Sequence, residues 1–266
     1  MRDHSRRWAW LGVLIIGLVL YVIVLRTLVH TQNPNFVPAL ILLGATVVPM
    51  SFLTFAQART GRWQVPASAL VVSAFFGGVI GIVVAGTLEY NTLRGLGMLP
   101  LLLVAVIEET AKLIVPVVLL FTILARHERR LPSDGLIIGV ASGMGFAALE
   151  TMGYAFTALI SSDGNIGAVQ ETLFLRGLTA PAGHTAWTGL TAGALWAFIA
   201  TPTGKRFLEF LATFAGAVVL HSIWDQFPGL IPFAVLAIIS LGWLFLALRR
   251  YRTFGDHASP LSPLTI

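Results

Sequence analysis

Apolar residues along this chain come in long runs, without the alternation of a half-buried strand, and the runs recur from the N-terminus to about residue 248. A helix rises about 1.5 Å per residue, so roughly 20 apolar residues cross a hydrocarbon layer of about 30 Å. Eight membrane spans are predicted on this basis, at about 8–28, 36–56, 66–88, 99–124, 134–160, 180–200, 207–227 and 230–248. The last two are joined closely at Pro228 and Gly229. Long unbroken runs favour a helical bundle over a barrel, whose strands are short and alternate. The expected fold class is all-α, a polytopic membrane bundle of about eight transmembrane helices. A single domain is expected over 1–256, followed by a short flexible tail at 257–266. The stretch 161–179 is mixed in polarity and reads as an external loop with a short interfacial helix. Its Glu171 and Arg176 are expected to face headgroups, and the segment is placed to act as a lid.

Composition agrees with lipid as the solvent. Apolar residues make up 56% of the chain and charged residues 11%, too little polar surface to cover a water-soluble fold. The net charge of +5 does not point to nucleic acid, because the arginines fall in short clusters between spans. With the N-terminus inside, Arg2, Arg6, Arg7, Arg59, Arg62, Arg126, Arg129, Arg130, Lys205, Arg206, Arg249, Arg250 and Arg252 lie in cytoplasmic segments, and Arg26, Arg94 and Arg176 lie opposite. That asymmetry sets the orientation and puts both termini in the cytoplasm. The chain has no cysteine, which excludes disulfides and thiolate chemistry. The first apolar segment follows a basic start but lacks a small-residue cleavage site, so it reads as a retained helix and not as a signal peptide.

Against this background a few polar residues stand out. Glu108 and Glu109 interrupt the fourth span, Glu150 the fifth, His184 the sixth, and His221 with Asp225 the seventh. An ionisable group at mid-bilayer is costly unless it has a partner or a task. Counting helical rise from the span ends places these groups at or above the midplane on the non-cytoplasmic side, so four spans contribute to one depth band. Histidines and carboxylates without cysteine suit a divalent metal, zinc first, with other first-row ions as alternatives. Glu150, His184 and His221 are the expected ligands, leaving one position for water. Glu108 and Glu109 are the candidate bases for activating that water. Adjacent helical residues point about 100° apart, so one of the two faces the site. Lys112 lies three and four residues from them and supports either assignment. Asp225, one turn beyond His221, is expected to ligate the ion, orient an imidazole or bind the tetrahedral intermediate through a water. Pro181 and Gly183 break the start of the sixth span and expose His184 at a bend. Gly135, Gly139 and Gly143, and again Gly189 and Gly193, repeat at four-residue spacing and read as close-packing faces.

The segments EETAK at 108–112, GMGFAALE at 143–150, PAGH at 181–184 and HSIWD at 221–225 resemble those of the PrsW family of intramembrane metalloproteases. That family is distantly similar to the membrane endopeptidases that trim prenylated CaaX proteins. In those enzymes a double glutamate, a phenylalanine-led motif ending in histidine, and a histidine followed four residues later by asparagine surround the reactive water. By this resemblance Glu108 matches the reactive glutamate. Phe146 to Glu150 matches the second motif with glutamate replacing histidine, and His221 to Asp225 the third with aspartate replacing asparagine. The resemblance implies a multi-pass protein of a bacterial cell membrane that cuts a single-pass membrane protein near its external boundary. A bacterial member of the family cleaves an anti-sigma factor. A secondary transporter or cation exchanger is the competing expectation, since it too uses intramembrane carboxylates and broken helices.

Overall fold

A computed structural model describes residues 7–60, 65–122, 131–227 and 229–257, with side chains as far as Arg252. The described residues form helices α1 (Ala9–Thr31), α2 (Val37–Arg59), α3 (Ala67–Leu96), α4 (Leu101–Thr122), α5 (Pro132–Ser161), α6 (Ile166–Thr179), α7 (His184–Ala200), α8 (Gly204–Gln226) and α9 (Leu230–His257). Short 3-10 turns at Pro34–Phe36 and Ala180–Ala182 precede α2 and α7. No strand occurs among the described residues, and the chain is a polytopic helical bundle. The arginines expected at 2–6, 62 and 126–130, and nearly all of the expected tail, lie outside the described residues.

Eight of the helices correspond to the eight predicted spans, and α6 occupies the segment left between the fifth and sixth. The third and last helices run on past their apolar segments, because a helix satisfies its own backbone and need not stop where lipid does. Gly97 ends α3 with φ +67°, its N–H bonded to the carbonyl of Leu93 at 2.9 Å, a left-handed cap that glycine adopts without strain. Six of the eight helices are long and apolar enough to cross a membrane. The other two are α4, which carries Glu108, Glu109 and Lys112, and α7, which has 17 residues. Both depart from the simple pattern where polar side chains are placed.

At the centre stands α5, packed against α7, α3, α2, α6 and α4. Lipid offers no hydrophobic drive for helices to associate, so close approach through small residues has to supply the packing. The glycine repeats do so. A Cβ at Gly139 would meet the backbone carbonyl of Thr188 and the side chain of Ala192, one at Gly143 the carbonyl of His184, and one at Gly145 the carbonyl of Ala74 on α3. Two faces of α5 thus receive neighbouring backbones directly, and the contact at Gly143 fixes where α7 begins. The peripheral helices α1, α8 and α9 turn Ile16, Ile23, Leu208, Ile238 and Leu246 outward, as lipid-facing surfaces require.

Candidate metal centre and active site

Lys112 organises the interior of α4. Its side chain is fully buried, and Nζ donates to Glu109 Oε1 at 2.7 Å and to His184 Nδ1 at 2.7 Å, with Glu108 Oε2 at 3.4 Å. It also stands 4.4 Å from the centre of the Phe146 ring, a favourable cation–π placement. Helical spacing explains the carboxylate contacts, since residues three and four apart share a face. Glu109 is 1% exposed and turned inward, and Glu108 is 8% exposed at the margin of a cavity.

The two imidazoles are fixed by what surrounds them. A lysine ammonium has no acceptor, so Nδ1 of His184 accepts from Lys112 and the ring proton lies on Nε2. That Nε2–H donates to Glu150 Oε2 at 2.9 Å. His184 is the first residue of α7, presented after the Ala180–Ala182 turn by Gly183 at φ −97°, ψ −125°, and the bend expected at PAGH is present. His221 on α8 places Nδ1 2.9 Å from Glu109 Oε1, where the carboxylate accepts its proton and sets the tautomer. Nε2 of His221 then faces Glu108 Oε2 at 3.6 Å and Asp225 Oδ2 at 3.3 Å. A lone pair directed at two carboxylates calls for a positive centre between them, a proton or a metal ion. The rings of His184 and His221 lie 4.9 Å apart, and Trp187 stacks on His221 at 5.2 Å while donating Nε1–H to Ser240 on α9 at 2.9 Å.

Glu108, His184 and His221 each present one donor atom within 4.8 Å of the others. Oε2 of Glu108 is buried, lies 3.4 Å from the Lys112 ammonium and makes no hydrogen bond among the described residues, which leaves it capacity for a further cation; Oε2 of Glu109 is also buried without a hydrogen bond. His221 Nε2 has a free lone pair and His184 has one on Nδ1 once Lys112 withdraws from it, so with the Glu108 oxygen these side chains make a donor set for a divalent ion. Glu150, expected as a ligand with these histidines, reaches His184 Nε2 from α5. Its Oε2 is shared with Arg176 Nη2 at 2.6 Å. Two carboxylates lie near both imidazoles: Glu109, whose Oε1 is 3.9 Å from His184 Nδ1 and 2.9 Å from His221 Nδ1, and Glu108, whose oxygen is within 4.8 Å of a nitrogen of each.

Two cavities of about 300 and 360 Å³ meet at Glu150. The first is lined by α6, the turn, His184, Trp187, Trp224 and Phe233. The second lies between α3, α4 and α5 and includes Glu89, Glu108, Phe146 and Tyr154. Glu89 sits on the wall of this second cavity because α3 continues beyond its apolar segment. Arg176 reads as a headgroup contact but points inward onto Glu150. The available signal was that it is one of only three arginines on the side disfavoured for basic residues. Trp187 carried no signal beyond packing.

Comparison with curated proteins and with solved structures gave no match. Residues 62–248, well over half of the chain and every site residue named above, match the PrsW family of intramembrane metalloproteases, and the chain belongs to that family.

Proposed function

We propose that the protein is a metal-dependent endopeptidase that hydrolyses a peptide bond in a single-pass membrane protein near the non-cytoplasmic surface of a bacterial cell membrane. The observation that carries this reading is the convergence of Glu108, His184 and His221 beside a cavity, inside a lipid-embedded bundle. These three residues would hold the ion, and zinc suits their donor set best. When bound, the ion would acidify the attacking water and polarise the scissile carbonyl.

The chain's own groups supply the remaining chemistry. Glu150 has Oε2 anchored by Arg176 and His184, and its side chain lines both cavities. We assign it the proton of the attacking water as the water oxygen bonds to the carbonyl carbon; it returns that proton to the amine as the C–N bond breaks. Glu109 holds the His221 tautomer, and Lys112 holds Glu109 and, until an ion takes its Nδ1, His184. Asp225 flanks His221 Nε2 at the cavity end of α8. The bend before α7 leaves room beside His184 for an extended peptide, which the reaction needs because a helical hydrogen bond shields the carbonyl. The site lies where α3, α5 and α8 end and α4, α7 and α9 begin, the non-cytoplasmic end in the orientation set by the arginines. Nothing in the residues singles out an anti-sigma factor among single-pass substrates.

The test is purified protein in proteoliposomes with a panel of single-span proteins, and products mapped by mass spectrometry. New termini near the outer boundary are expected, abolished by His221→Ala and by a chelator. Cation flux that follows the same treatments, without cleavage, would contradict the proposal.

A further inference from the structure

We infer that Arg176 is a positioning residue for the reaction, acting through Glu150; the inference rests on the proteolytic reading above. The guanidinium is placed by the seating of its helix and held by two contacts of its own. Val169, Leu173 and Gly177 form the buried stripe of α6. Leu173 lies against Gly44 of α2, and a Cβ at Gly177 would come within 2.8 Å of the Gly44 carbonyl. This contact seats α6 tightly and directs Arg176 toward α5. There Nη2 meets Glu150 Oε2 at 2.6 Å, and the guanidinium carbon lies 4.0 Å from the centre of the Tyr154 ring. Tyr154 follows Glu150 by one turn of the same helix, so a single planar group both pairs with the carboxylate and stacks on the ring beyond it. The pairing fixes Oε2 on the His184 side and leaves the second oxygen outside that pairing, on a side chain that lines both cavities. Without Arg176 the carboxylate is free to rotate, and His184 loses the partner that holds Nε2 in place. The Arg176–Glu150–Tyr154 contact also stands between the two cavities that Glu150 lines. Lysine reproduces the charge but not the flat stacking surface or the fork of donors.

The experiment measures kcat and KM on a single-span reporter that the wild-type protein cleaves in proteoliposomes. Arg176→Met is expected to lower kcat by about 10- to 100-fold, the range for loss of a partner that orients a site group, with KM nearly unchanged. Arg176→Lys is expected to recover part of that loss, and Tyr154→Leu to lose less than Arg176→Met. Thermal unfolding run alongside separates this from loss of fold, and if Arg176→Met does not fold, the kcat of Arg176→Lys against Tyr154→Leu decides. An unchanged kcat, or a change confined to KM, overturns the inference. A wild-type protein that cleaves no reporter overturns the proteolytic reading instead.

Discussion

Lys112 is a buried ammonium held among two carboxylates, an imidazole and the face of the Phe146 ring. Removing one member of a buried ionic group leaves the others desolvated and unpaired, which costs about 3–5 kcal/mol. Lys112→Met is therefore expected to lower the midpoint of unfolding sharply in detergent, and a variant as stable as wild type would show that the ammonium does not hold the site together. The proximity of Lys112 to Glu108 and Glu109 was legible from spacing on one helix. Its bond to His184, 72 residues away, was not, because no local rule fixes which face of α7 meets α4. The same gap explains the carboxylate roles. The sequence placed Glu108 and Glu150 in one depth band, but which of them converges on the imidazoles depends on helix rotation and on Arg176, and neither is encoded locally.

Among the elements, α5 and the start of α7 set the geometry. The glycine repeat on α5 was legible as a packing face, and the structure shows what it packs against: a Cβ at Gly143 would collide with the His184 carbonyl. Backbone cannot yield as a flexible side chain can, so Gly143→Ala is expected to displace the first turn of α7. Misplacement of about 1 Å in a reacting constellation costs about 10²-fold in rate. Cleavage of a reporter by Gly143→Ala should fall on that order, whereas Gly242→Ala on α9, where a Cβ meets nothing, should leave the rate unchanged and raise stability by up to about 1 kcal/mol. Equal behaviour of the two variants would contradict the role given to the close approach. The helix α6 was legible as a short interfacial helix placed to cover a site, but not as the source of an arginine within it. Its buried stripe of Val169, Leu173 and Gly177 turns Arg176 inward, an outcome that depends on the neighbouring α2.

For the molecule as a whole, the all-helical architecture was legible because apolar run length maps directly onto bilayer thickness. Orientation rests on the arginine asymmetry and is open to a clean test, since the chain has no cysteine. A cysteine at Asn165 should react with an impermeant maleimide from outside intact cells, and one at Thr203 only after permeabilisation; the reverse pattern would invert the topology. The central claim is that buried carboxylates and imidazoles from separate helices form one metal-dependent hydrolytic centre. It is tested most directly by measuring zinc affinity and reporter cleavage together for the wild type, Glu108→Gln and Glu150→Gln. Glu108→Gln should lose both metal and activity. Glu150→Gln should keep its affinity within about 10–100-fold, as loss of an orienting partner allows, while cleavage falls by about 10²–10⁴-fold. If Glu150→Gln loses the metal and Glu108→Gln retains it, the two carboxylates hold the opposite roles; if neither variant alters zinc affinity or cleavage, the proposed centre is wrong.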